Sequence, residues 1–449
     1  MKKLILVLGL VLVLVFAFVL TSVAEEDYSN WVTETRIGNP DAEITLYAWL
    51  QRAQTLRSPH ETWVEYYKEA YLGWAKRHPN AQVVVHVSPA GEISAESAKL
   101  LIATGQGNAP DFAAIDSFWV GIFIKRGYLQ PLDQFMTEQE QNDFFDFTKK
   151  ITVSDGRQYA LWSETDQRML YYRKDWIKEP PRTWDELIKT ALEMKEKHGV
   201  YGYLSKFAGE GAVNENTWAY YWAQGGKIFD EEGKPIFGEG KNREYMLNIL
   251  KYDQRLIESG AMPEMCVGWT SFDPLLAEVK ADNVAMFIQG SWAFSQIETL
   301  IGKEEANKKY GVAPYPQMKA DQRSNSAGGW TRAIFTKDPV KQLLAFSFIW
   351  ETEVSKQGMG NRTQITGHVP TRKSVLADYY HFQVSDFQKF LAEELKYSGT
   401  RPGENILYPD VSEALEKAIG KILTGRLDPE KALDEAYEQT LRAWERKKD

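Results

Sequence analysis

The stretch ITLYAWL at residues 44–50 begins a pattern of strands and helices that decides the fold. This apolar run predicts a buried strand, and the aromatic residues after it recur at the spacing of one helix face. VVVHV at 83–87 predicts the next strand, residues 94–104 a second helix, and PDFAAID at 110–116 a third strand. Strand–helix–strand–helix–strand at this spacing indicates a parallel α/β sheet.

Helix starts punctuate the rest of the chain. PRTWDEL at 181–187 is typical of one, with Thr183 as the N-cap and Glu186 closing a capping box. Asp428 followed by Pro429 predicts the start of a C-terminal helix. A chain of 449 residues is too long for one ordinary core, so we expect two packed units.

Composition and charge exclude several functions. The formal net charge is −9, which argues against a nucleic-acid partner and against docking to anionic lipid. Cys266 is the only cysteine, so an intrachain disulfide and every multi-cysteine motif are excluded. The six histidines show no metal-ligand spacing, and nothing assembles a nucleophile with its base. We therefore expect no metal, no cofactor and no enzymatic activity.

The N-terminus has the pattern of a secretory signal peptide. Lys2 and Lys3 precede an apolar run over residues 4–20, and small residues lead to Ala24. We expect cleavage after Ala24, so that residues 1–24 are removed and the mature protein is periplasmic or extracellular. The apolar run is long for a signal, so a retained membrane anchor is the alternative.

Aromatic side chains are abundant, with 15 Trp, 22 Tyr and 21 Phe. A Trp ring matches the flat C–H face of a sugar, and carboxylate, amide and guanidinium groups bind the hydroxyl rim. The composition is compatible with sugar binding but does not establish it. Helix packing already explains four of the rings: Trp63, Trp74, Trp184 and Trp444.

A series of motifs in order resembles the family 1 extracellular solute-binding proteins of ABC importers, the group that includes maltose-binding protein. The motifs are PD at 110–111, KRGYLQPL at 125–132, YRKDW at 172–176, PRTWDEL at 181–187, VAMFIQGSWA at 284–293, GVAPYP at 311–316, SAGGW at 326–330, HVPTR at 368–372 and PEKAL at 429–433. Two positions depart from the family pattern, because Trp162 replaces a usual proline and Arg173 a usual asparagine.

The resemblance implies an α/β fold of the two-lobed periplasmic-binding-protein type II class, with ligand bound in the cleft between discontinuous lobes. It places crossings between the lobes near 160–166, 284–290 and 324–331. The expected lobes are 25–163 with 286–327, and 164–285 with 328–449. The resemblance also implies a monomer that binds a carbohydrate and delivers it to the permease subunits in the membrane. We expect this carbohydrate to be an oligosaccharide.

Four residues are the first candidates for the ligand site. The resemblance places Trp292 and Trp330 beside the cleft, where they would form opposite parts of one aromatic clamp. Asp116 ends a strand, where α/β clefts bind ligand, although a helix N-cap would also explain it. Asp166 lies at the first crossing, where a hinge salt bridge is the alternative. A ring in the core of a lobe is the alternative for Trp292.

Further candidates lie in segments that the family uses for its ligand. They are Trp49, Gln51, Trp162, Glu164, Trp218, Trp269, Gly329, Arg362 and Tyr408. A binding protein for a non-sugar solute remains an alternative. A secreted glycoside hydrolase is another, since Asp116 and Asp166 could act as its two carboxylates.

Overall fold

The computed structural model describes residues 28–89 and 93–448, which form two α/β lobes. The predicted signal peptide, residues 1–24, lies outside these described residues. Within them, no helix combines the length and the apolar character needed to cross a membrane.

The strands of both lobes are short and lie in two main sheets. In chain order they are β1 (Arg36–Gly38), β2 (Ile44–Gln51), β3 (Ala81–Ser88), β4 (Phe112–Asp116), β5 (Val153–Ser154), β6 (Arg157–Gln158), β7 (Ala160–Trp162), β8 (Asp166–Arg173), β9 (Tyr201–Leu204), β10 (Val284–Gly290), β11 (Tyr310–Ala313), β12 (Asn325–Gly328), β13 (Trp330–Ile334) and β14 (Ser398–Thr400).

The first lobe is built on a sheet with strand order β1-β3-β2-β4-β13-β7. β2 pairs in parallel with β3 and with β4, which confirms the parallel α/β arrangement predicted from residues 44–116. β13 comes from much later in the chain and lies antiparallel between β4 and β7. The first sheet therefore needs both halves of the chain.

Helices cover both faces of the first sheet. They are Glu61–Arg77, Ile93–Gly105, Val120–Lys125, Glu138–Asp143, Asp146–Thr152, Pro339–Ile349, Lys356–Thr366, Lys373–Asp378 and Tyr380–Val384. The ring of Phe348 lies 5.2 Å from that of Trp74 and 5.3 Å from that of Phe112, between centroids. These buried rings join the late helices to the early part of the lobe.

The second lobe has the sheet order β14-β12-β8-β10-β9, with β11 also paired to β8. Its helices are Trp184–His198, Glu210–Asn216, Trp218–Ala223, Gly240–Glu258, Asp273–Lys280, Ala293–Ile301, Lys303–Lys309, Asp386–Glu394, Tyr408–Leu423 and Pro429–Lys448. The predicted capping box of Thr183 and Glu186 is present. Trp184, the first residue of that helix, stacks on Tyr252 at 4.5 Å in the lobe core.

The chain crosses between the lobes at three places. Residues 163–165 join β7 to β8, and Gly329 alone joins β12 to β13. The third crossing is near Ser385. Before it, Phe382 packs in the first-lobe core, and after it the Leu391 carbonyl accepts a hydrogen bond from Gln167 of β8 at 2.9 Å.

The lobe boundaries predicted from the sequence differ from this arrangement. β10 does not cross, because it pairs with both β8 and β9 in the second sheet. Residues 286–327 therefore belong to the second lobe, since β11 and β12 also pair with β8. The segment after Gly329 enters the first lobe through β13 and returns near Ser385, so only the last part of 328–449 lies in the second lobe.

Candidate ligand-binding cleft

A cavity of about 230 Å³ lies between the two lobes at the ends of their strands. The first lobe lines it with residues that follow β2 and β4, and the second lobe with residues around β8 and β10. The polar and aromatic lining includes Gln51, Arg52, Gln54, His60, Trp63, Tyr67, Asp116, Glu164, Asp166, Arg168, Lys206, Asn214, Glu215, Asp273, Trp292, Gln296, Gly329, Trp330, Arg362, His368 and Arg401.

Gly329 allows the two neighbouring crossings to pack together at the cavity. Its φ is +147°, a conformation that side chains rarely adopt. A Cβ at this position would overlap the Glu164 carbonyl oxygen and the Trp162 indole nitrogen. The next residue, Trp330, starts β13 opposite Asp116 of β4 and is half-buried at the cavity. Gly329 thus sets where Trp330 enters the cleft.

Trp292 is fixed in place from several sides. Gly290 leaves room for its ring, since a Cβ there would overlap the ring atoms. His368 stacks on Trp292 with centroids 5.6 Å apart and planes 22° apart, and the Arg168 guanidinium lies 5.1 Å from the Trp292 centroid. The ring is half-buried and lines the cavity, so it has both a packing role and an exposed edge in the cleft.

Both predicted carboxylates are held by arginines. Asp116 forms an ion pair with Arg401 of the second lobe at 2.6 Å, and its Oδ1 also accepts from the Phe118 amide at 3.4 Å. Asp166 pairs with Arg168, which reaches Glu215 at 2.8 Å. Asp116 is therefore both an N-cap and a cleft residue, and Asp166 is both a salt-bridge partner near the crossing and a cleft residue.

A further buried ion pair joins Glu164 to Arg362 at the first crossing. The Arg362 Nε also donates to the Tyr67 hydroxyl at 2.9 Å, and Gln54 donates to Glu164 at 3.3 Å. Burial acts to raise the pKa of Glu164, but the positive charges around it, first that of Arg362, outweigh burial and lower the pKa. Glu164 is therefore a charged structural anchor of the cleft wall.

Three cavity residues that the sequence did not mark as site residues meet where the lobes face each other: His60, Trp63 and Gln296. His60 Nε2 and the Gln296 side-chain nitrogen lie 2.7 Å apart, and the His60 ring packs on Trp63 at 4.7 Å. Trp63 was assigned to helix packing alone, but a ring on a helix face can pack inward and still line a cavity at its edge. Neither His60 nor Gln296 belongs to a motif that would have marked it.

Formal charge is balanced in the cavity lining. Five acidic and five basic side chains line it: Asp116, Glu164, Asp166, Glu215 and Asp273 against Arg52, Arg168, Lys206, Arg362 and Arg401. Several of these charges neutralise one another in the ion pairs described above. Such a lining has no net attraction for an anion or a cation, and it presents many hydrogen-bonding groups beside aromatic rings.

Five predicted site residues do not line the cavity. Trp162, Trp218 and Tyr408 are fully buried in lobe cores, and the Trp218 indole donates to the Tyr408 hydroxyl at 2.7 Å. Trp49 packs on His86 of the neighbouring strand at 4.5 Å. Trp269 packs on the second-lobe core, next to the cavity residue Thr270. Packing within a lobe accounts for the position of each of these rings.

The described residues contain no group of three or more His, Cys, Asp or Glu side chains arranged to hold a metal ion.

Two α/β lobes joined by three crossings around a polar and aromatic cleft define the class of proteins that bind a small solute between lobes. Residues 56–349 match the family of bacterial extracellular solute-binding proteins, and the chain belongs to this family. The resemblance found in the sequence motifs is thereby confirmed.

Several known proteins are similar over most of their length. A putative binding protein of Brucella abortus is 26% identical over 356 residues, which cover 75% of this chain and 80% of that protein. The galactooligosaccharide-binding protein of Bacillus subtilis is 25% identical over 83% of this chain and 85% of its own. A maltose-bound structure from T. maritima has the same fold, with a TM-score of 0.76 and 22% identity over 88% of this chain and 99% of that one.

Proposed function

We propose that this protein is the extracytoplasmic binding component of an ABC importer and that it holds a neutral carbohydrate in the cleft between its lobes. The observation that carries the proposal is the cavity lining, in which balanced charges lie beside the half-buried rings of Trp292 and Trp330. Ring faces suit the C–H faces of a sugar, and paired charged groups offer strong hydrogen bonds to hydroxyls without selecting a charged ligand.

Family membership and one relative support the choice of ligand. The galactooligosaccharide-binding protein of Bacillus subtilis matches this chain over most of both lengths. We extend its ligand class, though not its particular sugar, to this protein. The balanced lining disfavours phosphorylated polyols and acidic peptides, which would need a surplus of positive charge.

The ligand contacts that we propose come from both lobes. Trp292 and Trp330 supply ring surface, while Gln51, Asp116 and Asp166 supply hydrogen bonds. Glu164, Gly329 and Arg362 shape the floor where the crossings meet. Closure of the lobes over the sugar would remove water from these groups, and affinity would come from ring contact together with a satisfied polar rim.

We also propose that the protein binds without catalysis. A glycoside hydrolase needs one carboxylic acid that gives a proton to the leaving oxygen. Asp116 and Asp166 are instead both engaged by arginines, Arg401 and Arg168. Each carboxylate therefore faces a guanidinium and not the apolar pocket in which a catalytic acid is usually held.

The proposal includes a location and partners. The family is extracellular, and we propose that residues 1–24 direct secretion and are then removed. The mature monomer would bring its sugar to the permease subunits in the membrane. N-terminal sequencing of the native protein tests this location: Glu25 is expected as the first residue, whereas Met1 in a membrane fraction would show a retained anchor.

Calorimetry with purified protein tests the ligand class. Maltotriose, galactotriose, mannitol, a hexose 6-phosphate and a tripeptide are titrated in turn, and each sugar is recovered and analysed afterwards. We expect binding of at least one neutral sugar and its recovery unchanged. Tight binding of only the phosphate or the peptide would overturn the carbohydrate proposal, and new reducing ends lost in Asp116→Asn would favour a hydrolase.

A further inference from the structure

Away from the three crossings, a hydrogen bond between His60 and Gln296 joins the walls of the cleft. His60 precedes the first-lobe helix Glu61–Arg77, and Gln296 lies in the second-lobe helix Ala293–Ile301. Their side-chain nitrogens are 2.7 Å apart, and both residues are more than nine-tenths buried. This contact exists only while the lobes are together, because its two partners belong to different lobes.

The neighbours of Gln296 fix the direction of this hydrogen bond. Gln289 of β10 donates its side-chain nitrogen to Oε1 of Gln296 at 3.2 Å. The Gln296 nitrogen therefore faces His60 as a donor, and His60 Nε2 must accept. A ring protonated on both nitrogens could not accept, so the contact requires neutral His60.

The surroundings of His60 keep its ring neutral. Burial is the main cause that lowers its pKa, to about 4; nearby Asp273 acts to raise it and Arg52 to lower it. Trp63 covers the ring at 4.7 Å and carries no charge. The charged groups facing His60 thus come from the turn after β2 and from the second-lobe helix Asp273–Lys280.

The same helix turn carries a proposed ligand contact. The backbone N–H of Gln296 donates to the backbone carbonyl of Trp292 at 3.3 Å, so the two residues lie one helical turn apart. The Trp292 ring packs on His368, which in turn lies 5.9 Å from Trp63. The first turn of this helix is therefore contacted twice. His368 stacks on the Trp292 ring, and His60 of the first lobe pairs with Gln296.

We propose that the His60–Gln296 hydrogen bond is a closing contact, and that these two positioning residues set how long a bound sugar stays in the cleft. The inference rests on the proposed function, in which lobe closure retains the ligand. A contact made only in the closed arrangement raises the closed population, and apparent affinity scales with that population. Because the hydrogen bond must break before the lobes part, its loss acts mainly on the dissociation rate.

Spin-label distances in sugar-free protein test the contact directly. Labels are placed at Glu65→Cys in the first lobe and Lys303→Cys in the second, both of them exposed positions. Native Cys266 does not interfere, because it is fully buried and burial raises its pKa to about 12. His60→Phe keeps a ring on Trp63 but cannot accept, and Gln296→Met removes the donor. His86→Phe is the control, since His86 packs on Trp49 within the first lobe.

We expect both cleft variants to shift the distance distribution toward longer separations, while His86→Phe matches the parent. With maltotriose or galactotriose, whichever binds the parent protein, dissociation should be about tenfold faster in each variant and association nearly unchanged. Lowering the pH through 4 should speed dissociation from the parent but not from His60→Phe.

Unchanged distances and unchanged dissociation rates in a folded Gln296→Met would overturn the inference even if His60→Phe failed to fold. If no sugar binds the parent protein, the proposed function fails, but the distances still decide whether the contact holds the lobes together.

Discussion

Arg401, in the loop that follows β14, forms a buried ion pair with Asp116 at the end of β4, with 2.6 Å between nitrogen and oxygen. The pair joins the second lobe to the first beside the ligand cavity. Next to it, the Gly121 amide donates to the Gly403 carbonyl at 3.1 Å. Adding a Cβ at either glycine would cause overlap with the other lobe's backbone, so the two backbones meet without side chains between them.

Asp116→Asn should lower the free energy of unfolding by about 2–4 kcal/mol, because it removes the negative charge from a buried ion pair that joins the lobes. Urea unfolding at neutral pH measures this change. Asp386→Asn is the control, since Asp386 is fully exposed in its pair with Lys389 and should change stability by less than about 0.5 kcal/mol. Equal effects of the two substitutions would contradict a structural role for the interlobe pair.

Trp292→Ala and Trp330→Ala should each weaken sugar binding by about 2–4 kcal/mol, or roughly 30- to 1,000-fold, through loss of a half-buried ring in the cleft. Calorimetry with the best-bound sugar measures this loss. Trp444→Ala is the control, because its ring lies on the C-terminal helix outside the cavity lining and should affect thermal stability instead. Binding within about threefold of wild type in both cleft variants would refute the aromatic clamp.

Gly290→Ala should weaken sugar binding about as much as Trp292→Ala does, because the new methyl group would occupy the space of the Trp292 ring. Intrinsic fluorescence and calorimetry report the displaced ring and the lost affinity. Gly268→Ala is the matched control, since a Cβ there would meet no atom within 4 Å. Wild-type affinity in Gly290→Ala would show that the ring position does not matter for binding.

Asp253→Asn should stabilise the protein at neutral and alkaline pH. Asp253 is fully buried in the second lobe, its carboxyl oxygens have no hydrogen-bond partner, and burial raises its pKa well above the usual range. The folded state therefore holds a proton that the unfolded state releases above pH about 4, and stability falls by about 1.4 kcal/mol per pH unit until the folded pKa is reached.

Thermal unfolding between pH 4 and 8 checks this linkage. The gain in melting temperature from Asp253→Asn should grow as the pH rises and should be smallest near pH 4. Glu244→Gln makes the same change of carboxyl to amide on an exposed position of the same helix, and it should give no such trend. A gain that does not depend on pH would mean that Asp253 is ionised in the folded protein.

Local sequence patterns predicted the helices and strands well, but they did not predict every pairing between strands. The strands and helices between 44 and 116 follow from periodicity, and each end in the structure lies within three residues of the predicted one, with β4 starting two residues later than predicted. The crossing that the family resemblance placed near 324–331 falls at Gly329. The direction of that crossing was not predictable, since it depends on pairing with β4, more than 200 residues earlier in the chain.

Which side chains line the cavity was likewise only partly predictable from the sequence. Trp292 and Trp330 line the cavity, whereas Trp162 points into a core although it ends a strand beside the cleft. Trp162 is paired with Thr331 in the register of β7 and β13, and successive residues of a strand face opposite sides, so Trp162 faces the side of the sheet opposite to Trp330. His60 and Gln296 carry no local signal, because their importance arises only when two distant segments meet.

The place of β13 between β4 and β7 has a consequence for the order of events during synthesis. Until residue 334 has left the ribosome, the first sheet lacks an inner strand, and β7 has no neighbour that links it to the rest. The N-terminal segment therefore cannot complete its fold ahead of the rest, as independent N-terminal domains do. The first lobe therefore stays incompletely folded until most of the chain has been made. Export of an unfolded polypeptide requires a chain in this condition.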